Sequence, residues 1–123
     1  MNEYHKINSL FKRDMTLPKK PFIMGDFSEP EVEYLQYNKW EATEKVDGTN
    51  IRVMWDGAQV TFAGKSNDAQ IPPHLLARLG ELFSNEKMVE VFGTAAVCLY
   101  GEGFGYKIQG KVGVDYLKGG VDF

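Results

Sequence analysis

Along residues 50–55 the chain runs Asn50, Ile51, Arg52, Val53, Met54, Trp55, and polar and apolar positions alternate at its start. Such a period of two puts alternate side chains on opposite faces, as in a half-buried strand. Gln59-Val60-Thr61-Phe62-Ala63 follows as the return strand. Asp56-Gly57 between them is a hairpin signal, because a type I′ turn needs positive φ at both central positions. Upstream, Trp40 to Val46 has the composition of another strand, with Asp47-Gly48 turning the chain into the next.

After Pro72-Pro73 the period lengthens. Leu75, Leu76, Leu79, Leu82 and Phe83 recur at helical spacing, and proline suits a first helical turn whose N–H groups are unpaired anyway. A second helical stretch is expected from Asn85 towards Phe92, stopped by Gly93. The apolar run from Ala95 to Tyr100 predicts a buried strand that ends in Gly101-Glu102-Gly103-Phe104-Gly105. Glycine-rich sequence then leads to a strand expected to start at Val121-Asp122-Phe123. Residues 1–21 end in Pro18-Lys19-Lys20-Pro21 and are expected to form an extended lead-in, with residues 22–123 as the folded part. The predicted class is α+β: a mostly antiparallel twisted sheet with a helix pair over residues 73–92 packed on one face.

Composition narrows the function classes. The chain has 123 residues, is 43% hydrophobic and carries a net charge of −3. One core is expected, and a uniformly basic nucleic-acid binder is disfavoured. Lys12, Arg13, Lys19 and Lys20 are candidate phosphate contacts, although a solvated face is the commoner use of such residues. Cys98, the single cysteine, lies in an apolar run and is expected to pack in the core. With no membrane-length apolar stretch and no leader-like N-terminus, a reducing cytoplasmic setting and no membrane partner are expected.

Several apparent motifs fail. Gly64-Lys65-Ser66 resembles the end of a phosphate-binding loop, but the glycine required five positions earlier is Gln59. Neither Gly101-x-Gly103 nor Gly103-x-Gly105 completes a dinucleotide fingerprint, because Tyr106 and Ile108 stand where the third glycine would be. His5 and His74 lack zinc-type partners.

Glu44-Lys45-Val46-Asp47-Gly48-Thr49-Asn50 carries a different chemistry. A lysine ahead of a hairpin is most often a solvated surface residue. In a pocket at a sheet rim it can instead be a nucleophile towards phosphorus. The glycine of the following turn, Gly48, lets a phosphate approach the backbone. Asn50 can hydrogen-bond a phosphate or a hydrated metal, Lys65 can neutralise departing phosphates, and Glu102 can accept from ribose hydroxyls.

These residues resemble a known family. Lys45-Val46-Asp47-Gly48 is similar to the KxDG nucleophile motif of covalent nucleotidyltransferases: DNA ligases, RNA ligases and capping enzymes. With Asn50 where DNA ligases and capping enzymes usually carry arginine, the string looks like the RNA ligase 2-like branch common in bacteriophages. Residues 62–72, Phe-Ala-Gly-Lys-Ser-Asn-Asp-Ala-Gln-Ile-Pro, resemble that branch's second block. Leu99-Tyr100-Gly101-Glu102-Gly103-Phe104-Gly105 resembles the third.

The resemblance implies a partial nucleotidyltransferase (ATP-grasp-like ligase) domain, with ATP and Mg²⁺ as cofactors and nicked or 5′-phosphorylated RNA as partner. Lys45 would attack the α-phosphorus of ATP and become lysyl-AMP. Glu44 and Val46 would contact adenine, Asn50 the α-phosphate, Lys65 the phosphates, and Glu102 the ribose. Asp47, Gly48 and Gly101 would shape the motif loops; metal ligands are not assigned. AMP would pass to an RNA 5′-phosphate, and a 3′-hydroxyl would seal the nick. A lysine at 65, where the family usually has arginine, offers a point charge in place of a fork. The family's later blocks do not fit into the 21 residues after Glu102, so the chain looks like the N-terminal half of the domain. It would then work with a complementary chain, in a bacterial or phage-infected cytoplasm. The alternatives are a non-catalytic remnant that binds nucleotide, RNA or a partner, and, less in keeping with Asn50, a DNA ligase.

Overall fold

The computed structural model describes residues 4–109 and 116–123. Two compact units divide the chain: His5–Thr43, and Glu44–Phe123 together with the stretch ending at Tyr4.

In the first unit, strands β1 (Phe11–Arg13) and β2 (Phe22–Phe27) pair antiparallel, and helix α1 (Pro30–Leu35) follows. Part of the expected lead-in is therefore strand. The Phe11 and Phe27 rings meet at 5.0 Å, and the Arg13 guanidinium lies 3.9 Å from the centroid of Phe22. No residue of this unit is buried.

The second unit is built on a four-stranded sheet of order β4-β3-β5-β6, with every pairing antiparallel. Its strands are β3 (Thr49–Trp55), β4 (Val60–Ala63), β5 (Val97–Gly105) and β6 (Val121–Asp122). Helices α2 (Pro73–Leu82) and α3 (Asn85–Phe92) join β4 to β5. Alternation along β3 sends Ile51, Val53 and Trp55 to one face. There they pack with Leu75 and Leu79 of α2, Met88 of α3, and Ile108 to form the core. α3 begins at Ser84, whose hydroxyl accepts from the Lys87 N–H, and ends at Gly93 with φ +58°. The Gly93 carbonyl accepts from the Trp55 indole N–H at 2.9 Å. The class is α+β with antiparallel sheets and helices on one face, as the alternation and the helical spacing suggested. β6 starts at Val121, as expected. Phe123 packs edge-to-face on Phe83.

Two local expectations are corrected. Residues 40–46 form no strand. Both edges of β3 are already taken by β4 and β5, and the Trp40 indole N–H donates instead to the carbonyl of Leu35 at the end of α1. The β3–β4 turn also sits one residue later than the Asp-Gly signal placed it. Trp55 pairs with Val60, and Asp56 N–H bonds to the Gln59 carbonyl, so Gly57 and Ala58 are the central pair. Only Gly57 has positive φ (+99°), the pattern of a II′ turn. The Asp56 carboxylate accepts from the N–H groups of Gln59 and Ala58. In that order, those bonds hold its pKa below the ordinary 3.8.

Candidate functional site

The face of the sheet opposite the helices carries the polar members of the alternation. In the β3–β5 register Asn50 faces Glu102, Arg52 faces Tyr100, and Met54 faces Cys98. Directly paired residues share a face, so their side chains meet. The Asn50 amide donates to Glu102 Oε2 at 3.0 Å, half-buried, across 52 residues of sequence. Two expected site residues from separate blocks are thereby joined at one end of the sheet.

Gly48 is buried at the same end. A Cβ there would overlap the carbonyl oxygen of Gly103 and press on Glu102 Cγ. Only glycine lets the chain enter β3 this close to β5. At Gly101, the space of a side chain is filled by the Phe123 ring, on the core side of the sheet. Gly48 and Gly101 thus have packing reasons for being glycine.

Lys45 lies on the unpaired approach to β3. Glu44, Lys45 and Asp47 are exposed, and Val46 is half-buried. Among the described residues Lys45 has no ion pair or hydrogen bond. The expected position at a strand rim is corrected to a loop that runs into the strand. The Asp47 N–H donates to the Tyr116 hydroxyl at 3.1 Å, and the Gly48 carbonyl accepts from the Gln109 side-chain amide.

Arg52, which the sequence reading passed over, ties the second block to the sheet. It is 2% exposed. Its Nε donates to the Gly64 carbonyl at 2.9 Å and its Nη2 to Asn67 Oδ1 at 2.8 Å. Lys65 sits between those anchors, exposed to solvent. A buried cation is costly unless its donors are satisfied, and here the 64–67 turn supplies acceptors. One sequence signal was present: Arg52 shares the Asn50 face of an alternating strand. Beside it, the Tyr100 hydroxyl is pushed above its ordinary pKa, first by a hydrogen bond with Cys98 and then by burial, with the Arg52 charge opposing. Cys98 is half-buried on this face and not in the core.

The sheet therefore brings Asn50 and Glu102 into contact, holds Gly48 against their strand end, and ties down the turn bearing Lys65. Lys45 and Lys65 themselves rest on loops. Among the described residues no three His, Cys, Asp or Glu gather into a metal-binding group, and no helix is long and apolar enough to cross a membrane. No protein-family model, no curated protein and no solved structure matches this chain.

Proposed function

We propose that the chain belongs to an ATP-dependent RNA ligase and bears its AMP-accepting lysine, Lys45. The observation that carries this is the Asn50–Glu102 hydrogen bond. It unites the end of the lysine block with Glu102 of β5, where a nucleotide needs an amide donor for phosphate and a carboxylate acceptor for ribose hydroxyls. Arg52 adds support by tethering the second block, with Lys65, to the same strand.

In this scheme the neutral Lys45 amine forms a P–N bond to the α-phosphorus. The bond to pyrophosphate breaks, and the amine proton is lost to solvent. Lys65 offsets charge on the departing phosphates, and Asn50 holds the α-phosphate oxygens. The residues fit Mg²⁺ only as an ion carried by the triphosphate with its own waters, since the described residues offer no carboxylate cluster. Transfer of AMP to an RNA 5′-phosphate, in a bacterial or phage-infected cytoplasm, completes the proposal. It extends to a nucleotidyltransferase-type domain whose remaining blocks lie on a complementary segment or chain.

Intact mass after incubation with ATP and Mg²⁺ tests it. A gain of one AMP that disappears in Lys45→Ala, and that chases onto a 5′-phosphorylated RNA oligonucleotide, is the expected result. Nucleotide or RNA binding with no adduct would favour the non-catalytic module instead.

A further inference from the structure

The lysine loop has little backbone support of its own. From Ala42 to Asp47, among the described residues, one backbone hydrogen bond reaches another part of the chain: Asp47 N–H to the Tyr116 hydroxyl. The next residue's carbonyl, that of Gly48, takes a second bond from the Gln109 side chain. Both partners come from the connection between β5 and β6, 69 and 61 residues away in sequence.

Each partner is itself fixed. Tyr116 packs edge-to-face on Phe104 of β5, with centroids 5.8 Å apart at 87°. Gln109 follows Ile108, which is buried in the core and donates its N–H to the Gly105 carbonyl at 3.2 Å. Gln109 adopts φ +61°, a left-handed conformation uncommon for a side-chain-bearing residue, and this backbone turn carries its amide to Gly48.

We propose that Tyr116 and Gln109 are positioning residues that clamp the backbone just after Lys45 and so aim its amine at the α-phosphorus. The inference rests on the nucleophile role proposed for Lys45. With an acceptor holding Asp47 and a donor holding Gly48, only Val46 separates the held backbone from Lys45. Displacing a reacting group by about 1 Å costs on the order of a hundredfold in rate, so a clamp here controls the chemical step more than nucleotide binding.

The test is single-turnover adenylylation of the full chain across ATP concentrations, with amide hydrogen exchange of Asp47 followed by NMR. Tyr116→Phe keeps the ring on Phe104 and removes the acceptor; Gln109→Ala removes the donor. For Tyr116→Phe the expected result is faster exchange at Asp47, with an AMP-adduct rate lower by roughly tenfold at saturating ATP. The half-saturating ATP concentration is expected to change less than about twofold, since uniform binding is untouched. For Gln109→Ala the same rate-not-affinity pattern is expected. Unchanged rates in both variants, with a wild-type chain that does take up AMP, would overturn the clamp and leave Lys45 as the nucleophile. A wild-type chain that takes up no AMP would overturn both.

Discussion

The site has two halves held in different ways. Asn50, Glu102 and the Gly48–Gly103 contact belong to two strands paired without interruption from Thr49 to Trp55. Lys45 and Lys65 ride on loops, tied through neighbours: Tyr116 and Gln109 for one, Arg52 for the other. A ligand-shaping carboxylate and amide gain from rigidity, because their geometry is then set before anything binds. In the proposed reaction Lys45 and Lys65 must reach phosphates, and long flexible lysine stems on anchored loops supply that reach. Stability and chemistry should therefore separate along this line.

The sharpest break is expected at Gly48. In Gly48→Ala the new methyl group overlaps backbone and not a yielding side chain, so a loss of about 3 kcal/mol, at the top of the usual overpacking range, is expected by urea unfolding. Arg52→Met comes next. It keeps an apolar stem but leaves the Gly64 carbonyl and the Asn67 amide oxygen without their donor, for a loss of about 2 kcal/mol. Tryptic cleavage after Lys65 should accelerate with it.

Smaller is the coupling between Asn50 and Glu102. A double-mutant cycle with alanine at each position should return about 1 kcal/mol, the net value of one half-buried hydrogen bond. Zero coupling would make the two halves of the site energetically alike. At the far end of β3 the effect is smaller again and depends on pH. Asp56 is held below 3.8 by two N–H bonds. Its contribution is therefore complete above that ordinary value and is lost as pH falls through the lowered one. Asp56→Asn should flatten that acid limb of the melting temperature. Lys45→Ala and Lys65→Ala should move stability by no more than about 0.5 kcal/mol, as exposed substitutions do, while removing or slowing the AMP adduct. A large destabilisation from either lysine would erase the distinction.

Local sequence was informative where local physics decides. Alternation over Asn50–Trp55, leucine spacing through α2 and the glycine after Phe92 each reflect a preference that acts within one element. Trp40–Val46 misled because being strand-like is not enough: a strand also needs a partner, and the Trp40 indole bonds to the end of α1 instead. Arg52 was hidden because its burial depends on the 64–67 turn folding over it. Tyr116 and Gln109 were invisible, since contacts spanning more than sixty residues leave no mark on either neighbourhood. The Asn50–Glu102 meeting was foreseeable only as two residues of suitable chemistry, and became one feature through strand register.

That register also limits how the gene can change length. Seven consecutive residue pairs link β3 to β5 with no bulge between Thr49 and Trp55. Adding or deleting one codon within either strand would shift every later pair by one place. It would also turn Ile51, Val53 and Trp55, or their partners, towards the wrong face. Codon insertions between Asp56 and Gln59, outside the paired stretch, face no such penalty. Length variation among descendants of this sequence should therefore gather in the turns and be absent from the two strands, whether or not the lysine is still in use.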